Sequence, residues 1–485
     1  MPDTSRPEPA ADGPRRRWWR VAIPALLAVT ALTAGGTAVA LDRAVDDGPP
    51  RSAPDPSLVT PVVSVRRLPS VLAAPVAERR LTTDLQSVVA TLPAGTCLTV
   101  RDPSGQVVFD HHGDQQQRPA SNEKLLTAAT ALEVLKPETR FHTSVVTSAP
   151  LANGVLAGDL VLVGGGDPVL GTADYAARYR NQPQLLTDID RLATSIVAAG
   201  VTHIDGSVRG DESRYDTQRS VPGGPPRYLS DHDVGPLAAL SVNDGFETYP
   251  STTGANNAAV PAPEPAVQAA TVLTQRLLVH GVTIAGPPAA GRAPAGAREV
   301  AGIDSVPLAE IVAGMLRESD NQIAEMLMKE LGRTVGLPST AGGAAVVAKT
   351  LGRRAPADGS GLSLDDRASC RDLLAVFDRP STGAIIDHAL AVAGESGTMR
   401  FRFLGTDLVG RVRAKSGSLT SVRSLTGAVE DDDGVLRFSV IVTVPVGQRV
   451  PPGVDGAVQR IAQMLLDYPR LADEAALSPE GVVAR

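Results

Sequence analysis

A chain of 485 residues, 43% apolar and 3% aromatic, is long enough for two or three domains and a sizeable core. Its 53 acidic and 46 basic residues leave a net charge of −7, with no large basic block beyond the N-terminus, which argues against nucleic acid as a partner. Among the basic residues only Lys124, Lys136, Lys329, Lys349 and Lys415 are lysine. A GC-rich coding style, visible also in the abundant Ala, Gly and Pro, accounts for part of that bias. Arginine holds its charge permanently, however, whereas a lysine amine can be made to give up its proton.

At the N-terminus, Arg15, Arg16, Arg17 and Arg20 flank Trp18 and Trp19, and an uncharged apolar stretch follows over residues 21–41. About 20 residues at 1.5 Å rise cross the hydrocarbon layer, and the arginines keep their side cytoplasmic. The reading is a cytoplasmic tail (1–17), a single membrane anchor (18–42) and an extracytoplasmic remainder. Ala38-Val39-Ala40 resembles a signal-peptidase site, so a cleaved export signal and a secreted protein are the alternative. No cysteine follows the stretch, which excludes a lipoprotein anchor. Residues 43–76, rich in proline, read as an extended linker.

Beyond the linker the pattern predicts a helix over 81–92, then strands at 96–100 and 107–109 joined by the turn Asp102-Pro103-Ser104-Gly105. A helix follows Ser121, with apolar Leu125, Leu126, Ala129, Leu132 and Leu135. Residues 146–297 carry short strands, glycine turns and proline-rich stretches and read as one or two inserted β-rich modules. Further on, Leu308, Ile311, Val312, Met315 and Leu316 mark one helix, and Ile323, Met326, Leu327 and Leu331 another, with Gly332 as its stop. Strands at 411–415, 422–429 and 436–444 alternate, the last two joined by Asp431-Asp432-Asp433-Gly434, and a helix over 454–466 closes the chain. The fold class is α+β: an antiparallel sheet assembled from both ends of the chain (77–145 and 298–478), flanked by helices and interrupted by the insert. Cys97 and Cys370 fall on a strand-like and a helix-like segment; a disulfide and two buried thiols are both open.

Three short motifs carry chemistry. Ser121-Asn122-Glu123-Lys124 places an amine one helical turn from a hydroxyl, as a lysine-activated serine nucleophile requires; alone it also reads as a helix cap. Ser319-Asp320-Asn321 lies between two predicted helices, and Lys415-Ser416-Gly417 ends a predicted strand. Each is weak singly, but the three in this order on these elements are specific. Gly164-Gly165-Gly166 lacks the spacing of a dinucleotide fingerprint and reads as a turn. Asp231-His232-Asp233 lacks paired metal-ligand spacing and reads as a solvated loop, and His111-His112 as surface. No Gly-x-Ser-x-Gly elbow occurs.

The motif set resembles that of penicillin-binding proteins and serine β-lactamases. Within that superfamily, residues 80–470 resemble the D-alanyl-D-alanine carboxypeptidase/endopeptidases of peptidase family S13. Gly158-Asp159-Leu160, Val163-Gly164-Gly165-Gly166-Asp167-Pro168, Gly210-Asp211-Glu212-Ser213 and Ala239-Leu240-Ser241-Val242-Asn243-Asp244 add to the likeness, as do Asp358-Gly359-Ser360-Gly361-Leu362-Ser363 and Gly397-Thr398-Met399-Arg400. The long gap between Ser121 and Ser319 also fits that family's inserted domains. The resemblance implies an acyl-enzyme on Ser121, with Lys124 as base and Ser319 as proton relay. Asn321 would hold the substrate amide, and Lys415 would supply positive potential that also keeps Lys124 neutral. Ser416, where the family more often has threonine, would bind the terminal carboxylate, and Ser418, after Gly417, would donate the second oxyanion N–H. Peptidoglycan stem peptides would be the substrate, β-lactams would acylate the same serine, and no metal or cofactor is implied. Glu123 is a less usual residue inside the first motif; helix geometry turns it away from Lys124. A serine β-lactamase and a non-catalytic peptidoglycan-binding envelope protein are the alternatives.

Overall fold

The computed structural model describes residues 68–177, 185–249, 259–431 and 434–468. The tail, the anchor and most of the linker fall outside that range, as do Asp432 and Asp433 of the expected turn. Residues 68–76, expected to finish the linker, instead open helix α1 (Leu68–Val89). Pro69 lies in its first turn, where no backbone N–H is needed. Among the described residues no helix is long and apolar enough to cross a membrane.

After α1 come β1 (Gly95–Arg101), β2 (Val107–His111), a single 3-10 turn at Ala120–Asn122 and α2 (Glu123–Leu135). The inserted region holds β3 (His142–Thr147), β4 (Leu160–Val163), α3 (Ile189–Ala198), β5 (Val208–Asp211), α4 (Pro265–Val279), β6 (Ala289–Ala290) and β7 (Arg298–Asp304). Then follow α5 (Leu308–Glu318), α6 (Asn321–Arg333), α7 (Thr340–Leu351), α8 (Cys370–Ala375), α9 (Gly383–Ala389), β8 (Ala391–Val392), β9 (Val412–Leu419), β10 (Val422–Asp431), β11 (Gly434–Thr443) and α10 (Gly453–Leu466).

The main sheet has the order β8-β9-β10-β11-β1-β2 with every neighbouring pair antiparallel, so the last strands of the chain flank the first hairpin. Its strands bury both faces, and the two-residue period sorts them into two cores. Leu98, Val100, Leu425, Phe438, Val440 and Val442 face α1 and α10. Cys97, Val422 and Ile441 face α2, α5, α6 and α8. A second sheet, in the order β6-β5-β4-β3-β7, packs against α3 and α4 over a core of its own.

Helix α6 joins the two regions. It is buried on nearly all sides from Gln322 to Gly332, and its polar residues are met from the insert. Lys329 pairs with Asp216 and donates to the Gln218 carbonyl, while Glu330 takes Arg214 and the Tyr215 hydroxyl. Gly332 does not stop the helix as expected. It lies inside the last turn, where a Cβ would stand 2.3 Å from the Leu337 carbonyl, so the glycine serves a close backbone approach. Cys97 and Cys370 form a disulfide, both sulfurs fully buried between β1 and the first residue of α8.

Candidate active site

The two ends of the sheet domain converge where β9 runs past the start of α2 and the α5–α6 junction. Ser121, half-buried, occupies the 3-10 turn that leads into α2. Ala120 before it has φ 49°, a left-handed conformation that costs a non-glycine residue about 1–3 kcal/mol and turns the chain sharply into the helix. Ser319 caps α5 in the same left-handed region, φ 62°, and Asp320 then caps α6 by accepting the Ile323 N–H at 2.9 Å. The reversal between α5 and α6 thus sets Ser319 and Asn321 side by side.

Lys124 is fully buried. Its Nζ lies 3.2 Å from Ser121 Oγ and donates to Asn321 Oδ1 at 2.6 Å and to the Ser360 carbonyl at 2.7 Å. A neutral amine has two N–H donors and one lone pair. Asn321 Oδ1 and the Ser360 carbonyl accept only, so they take both donors and leave the lone pair for the Ser121 hydroxyl. The Asn321 amide is fixed in that sense because its Nδ2 donates to the Asp233 carbonyl at 2.6 Å. Asp231-His232-Asp233 therefore borders the site through its backbone, which its side-chain pattern did not announce. Asn321 itself, expected to hold substrate, orients the base in the free protein.

Lys415, also fully buried, donates to Ser319 Oγ at 2.9 Å and to the Ser416 carbonyl at 2.6 Å. The Ser416 hydroxyl donates to Thr398 Oγ1 at 2.9 Å, so Thr398 joins the cleft. Its motif stood out in the sequence without a role. At Gly417 a Cβ would lie 2.2 Å from Ser424 Oγ, 2.9 Å from the Pro119 carbonyl and 3.1 Å from the Ser121 nitrogen. Only glycine lets β9 come that near the nucleophile's backbone. β9 runs on to Leu419, past the predicted end at 415, so Lys415-Ser416-Gly417 lies within the strand rather than at its end, held there by pairing with β10, and Ser418, the next residue, is exposed. Among the described residues β8 pairs with β9 only at Ala414 and Arg413, so the segment 415–419 keeps an open outer edge along the cleft.

Burial lowers the Lys124 amine to about 8 against the opposing pull of Asp358, Glu325, Asp320 and Asp366. Lys415, expected to help keep Lys124 neutral, is pushed well below the ordinary lysine range by burial first and then by Lys124 and Arg402. The repulsion between the two amines is mutual, and desolvation is the first cause of the Lys124 shift. Glu123 points away from the nucleophile and is fully buried, 3.6 Å from Arg353; burial raises its carboxyl to about 7. Among the described residues no group of three or more His, Cys, Asp or Glu side chains could hold a metal ion.

A helix-flanked antiparallel sheet with a serine and a buried lysine at the head of a helix, a Ser-x-Asn reversal beside it and Lys-Ser-Gly on the bordering strand defines the penicillin-binding class of fold and site. The pattern of the D-Ala-D-Ala carboxypeptidase 3 (S13) family matches residues 81–261 and 248–465. The chain belongs to that family. It is 34% identical over 360 residues to a carboxypeptidase of Mycobacterium tuberculosis, covering 70% of this chain and 74% of that one. It is 31% identical over 443 residues to carboxypeptidase DacB of Mycolicibacterium smegmatis, covering 86% and 89%. Among solved structures, penicillin-binding protein 4 (dacB) of Haemophilus influenzae superposes with a TM-score of 0.65 at 20% identity, over 79% of this chain and 99% of that one, which shows the shared fold.

Proposed function

We propose that this chain is a serine-type D-Ala-D-Ala carboxypeptidase/endopeptidase of peptidoglycan stem peptides, acting through an acyl-enzyme on Ser121 and acylated there by β-lactams. The observation that carries this reading is the buried Lys124 amine, whose two acceptor partners leave its lone pair to Ser121.

Neutral Lys124 takes the Ser121 proton as Oγ adds to the carbonyl carbon of the penultimate D-Ala. The resulting oxyanion is met by the Ser121 and Ser418 N–H groups. As the C–N bond breaks, the proton passes through Ser319, backed by Lys415, to the amine of the departing D-Ala. Water then attacks the ester, Lys124 again serving as base, and frees Ser121. The positive potential of Lys415 and the Ser416 hydroxyl, with Thr398 behind it, hold the terminal carboxylate. This chain's residues supply every step without a cofactor.

The test uses the full-length chain and a fluorescent penicillin, followed by a chase, with Ser121→Ala as control. A long-lived label on the wild type alone is expected. Rapid loss with turnover would make the protein a serine β-lactamase, and absence of covalent label would leave a non-catalytic peptidoglycan-binding envelope protein.

The apolar stretch behind the N-terminal arginines further supports a single-pass anchor over 18–42 that keeps the enzyme at the outer face of the cell membrane. Recovery of the full-length chain in the carbonate-washed membrane fraction is expected. Recovery in the medium, beginning after Ala40, would show a cleaved signal instead.

A further inference from the structure

The loop between α7 and α8 contains the third partner of the Lys124 amine, and no step above uses what holds that loop in place. Its tip, Asp358-Gly359-Ser360-Gly361, is wound around carboxylates. Asp358 Oδ1 accepts the N–H groups of Ser360 at 3.0 Å and Gly361 at 2.7 Å, and Asp358 Oδ2 accepts that of Ser363 at 2.6 Å. Glu325, one helical turn after Asn321 on α6, accepts the N–H groups of Gly359 at 3.1 Å and Ser360 at 2.9 Å through a single oxygen. Both acids are fully buried.

The loop also touches the nucleophile's own helix. The Gly359 carbonyl accepts from Thr127 Oγ1 at 2.8 Å. Gly361, at φ +81°, lies so near the Ala120 carbonyl that a Cβ would stand 1.9 Å from it. Two carboxylates therefore hold the Ser360 N–H, and the next peptide, which carries the Ser360 carbonyl, has its own N–H, that of Gly361, on Asp358 while its carbonyl accepts from the amine. Polarisation along that peptide makes the carbonyl a stronger acceptor and fixes its direction.

Resting on the acyl-enzyme reading, we infer that Asp358 and Glu325 are positioning residues for the general base: they fix the backbone on both sides of Ser360, Asp358 at the peptide that carries the carbonyl and Glu325 at the two before it, and so hold the Lys124 amine with its lone pair facing Ser121. Glu325 and Asn321, four residues apart on one face of α6, then act on the same amine, one through a side-chain amide and one through a backbone carbonyl. The titratable groups facing Lys124 are Glu123 on its own helix, Asp320 and Glu325 at the start of α6, Asp358 and Asp366 in the loop, and Lys415 from β9. Asp358→Asn removes a negative charge that favours the ammonium form, and Glu325→Gln does so only where Glu325 is ionised, since burial raises its carboxyl to about 8. The base then loses its proton at lower pH.

The experiment compares wild type, Glu325→Gln and Asp358→Asn as full-length chains. Each is titrated for active sites with fluorescent penicillin, and the acylation rate of the titrated fraction is then followed from pH 5 to 10. Asp358→Asn turns one acceptor into a donor facing the Ser363 N–H, so a fall of roughly 10- to 100-fold in the plateau rate is expected. Glu325→Gln keeps an acceptor oxygen and removes a carboxyl that titrates alongside the amine, so its main effect is an acid limb displaced downward by up to about half a pH unit. Wild-type rates and an unmoved limb in both variants would overturn the inference, as would a loss of titrated sites alone. If Asp358→Asn does not fold, Glu325→Gln decides by itself, and its own failure to fold would make the carboxylate structural and count against the inference. An unlabelled wild type sinks the acyl-enzyme reading too, whereas a labelled wild type with indifferent variants sinks only this one.

Discussion

Lys124 Nζ lies 2.6 Å from Asn321 Oδ1, nearer than the 3.2 Å to Ser121 Oγ. The distance makes Asn321 the main restraint on the direction of the Lys124 amine, the base of the proposed mechanism. Asn321→Ala leaves the amine with the Ser360 carbonyl as its single pure acceptor and frees it to turn from Ser121. Acylation by a reporter β-lactam is expected to fall roughly 100-fold while the thermal midpoint hardly moves. Asn321→Asp keeps an acceptor but puts a carboxylate beside the amine, which favours the ammonium form. Its acid limb should move to higher pH, and a stopped-flow profile distinguishes the two effects.

Because burial brings the Lys124 amine to about 8, the neutral form grows with pH through that value. Acylation by the wild type should rise about tenfold per pH unit below it and level off above it. The sign is that of a base that must be unprotonated. An essential carboxyl acid would give the opposite slope. Lys124→Arg keeps a cation that does not titrate in this range, so its rate should be roughly 1,000-fold lower and flat with pH. Normal acylation by that variant would remove Lys124 from the role.

Much of this site was legible in the sequence because its three motifs are short and local: one helical turn, one helix junction and one stretch of strand. Apolar periodicity likewise gave the hairpin, the late strands and the closing helix, since the sheet is buried on both faces and its pattern is strong. What was not legible arises from contacts between distant segments. Nothing local tells that Asp233 lends a carbonyl to Asn321 across 88 residues, or that Thr398 meets Ser416. The buried state of Glu123 and its Arg353 neighbour also depends on a loop more than 200 residues away. Gly332 misled because a glycine needed for close packing looks the same in sequence as one that ends a helix.

Asp366 is buried with Asp358 and Glu123 as neighbours, and burial first, then those charges, lifts its carboxyl to about 11. Its Oδ1 accepts from Ala357 and Asp358 N–H groups, and the protonated carboxyl also bonds the Asp358 side chain. Folded, Asp366 keeps its proton at neutral pH; unfolded, it loses it near the ordinary aspartate value. The fold therefore loses stability from this group as pH rises above about 4 toward the folded value. Asp366→Asn keeps the Oδ1 acceptor, removes the titration and keeps a donor toward the Asp358 side chain. The variant should melt higher than wild type at pH 8, by about 2–4 °C for each kcal/mol recovered, with a smaller gain at pH 5. A gain that is equal at both pH values would show that Asp366 is ionised in the fold.

The Cys97–Cys370 disulfide closes a sequence separation of 273 residues, so it spans the whole insert as well as α2, α5 and α6. Next to it, Gln117 and Ala368 exchange backbone hydrogen bonds at 2.9 Å, and Arg371 N–H donates to the Gly113 carbonyl at 3.1 Å. These backbone bonds hold the run that enters Ser121 against the start of α8, and the disulfide ties the same end of α8 to β1. A long closed loop restricts the unfolded chain strongly, and loss of such a bond costs about 2–4 kcal/mol. Backbone contacts on both sides of the bond keep the site's geometry without it. A Cys97→Ala/Cys370→Ala chain should therefore unfold at lower denaturant by that amount, yet acylate Ser121 within about twofold of the wild-type rate at 25 °C in its folded fraction. Because both sulfurs are buried, reductant should leave the native wild type untouched and lower its midpoint only when unfolding exposes the bond. A wild-type midpoint indifferent to reductant would deny the bond any part in stability, and a large loss of acylation in the folded variant would show that it shapes the site.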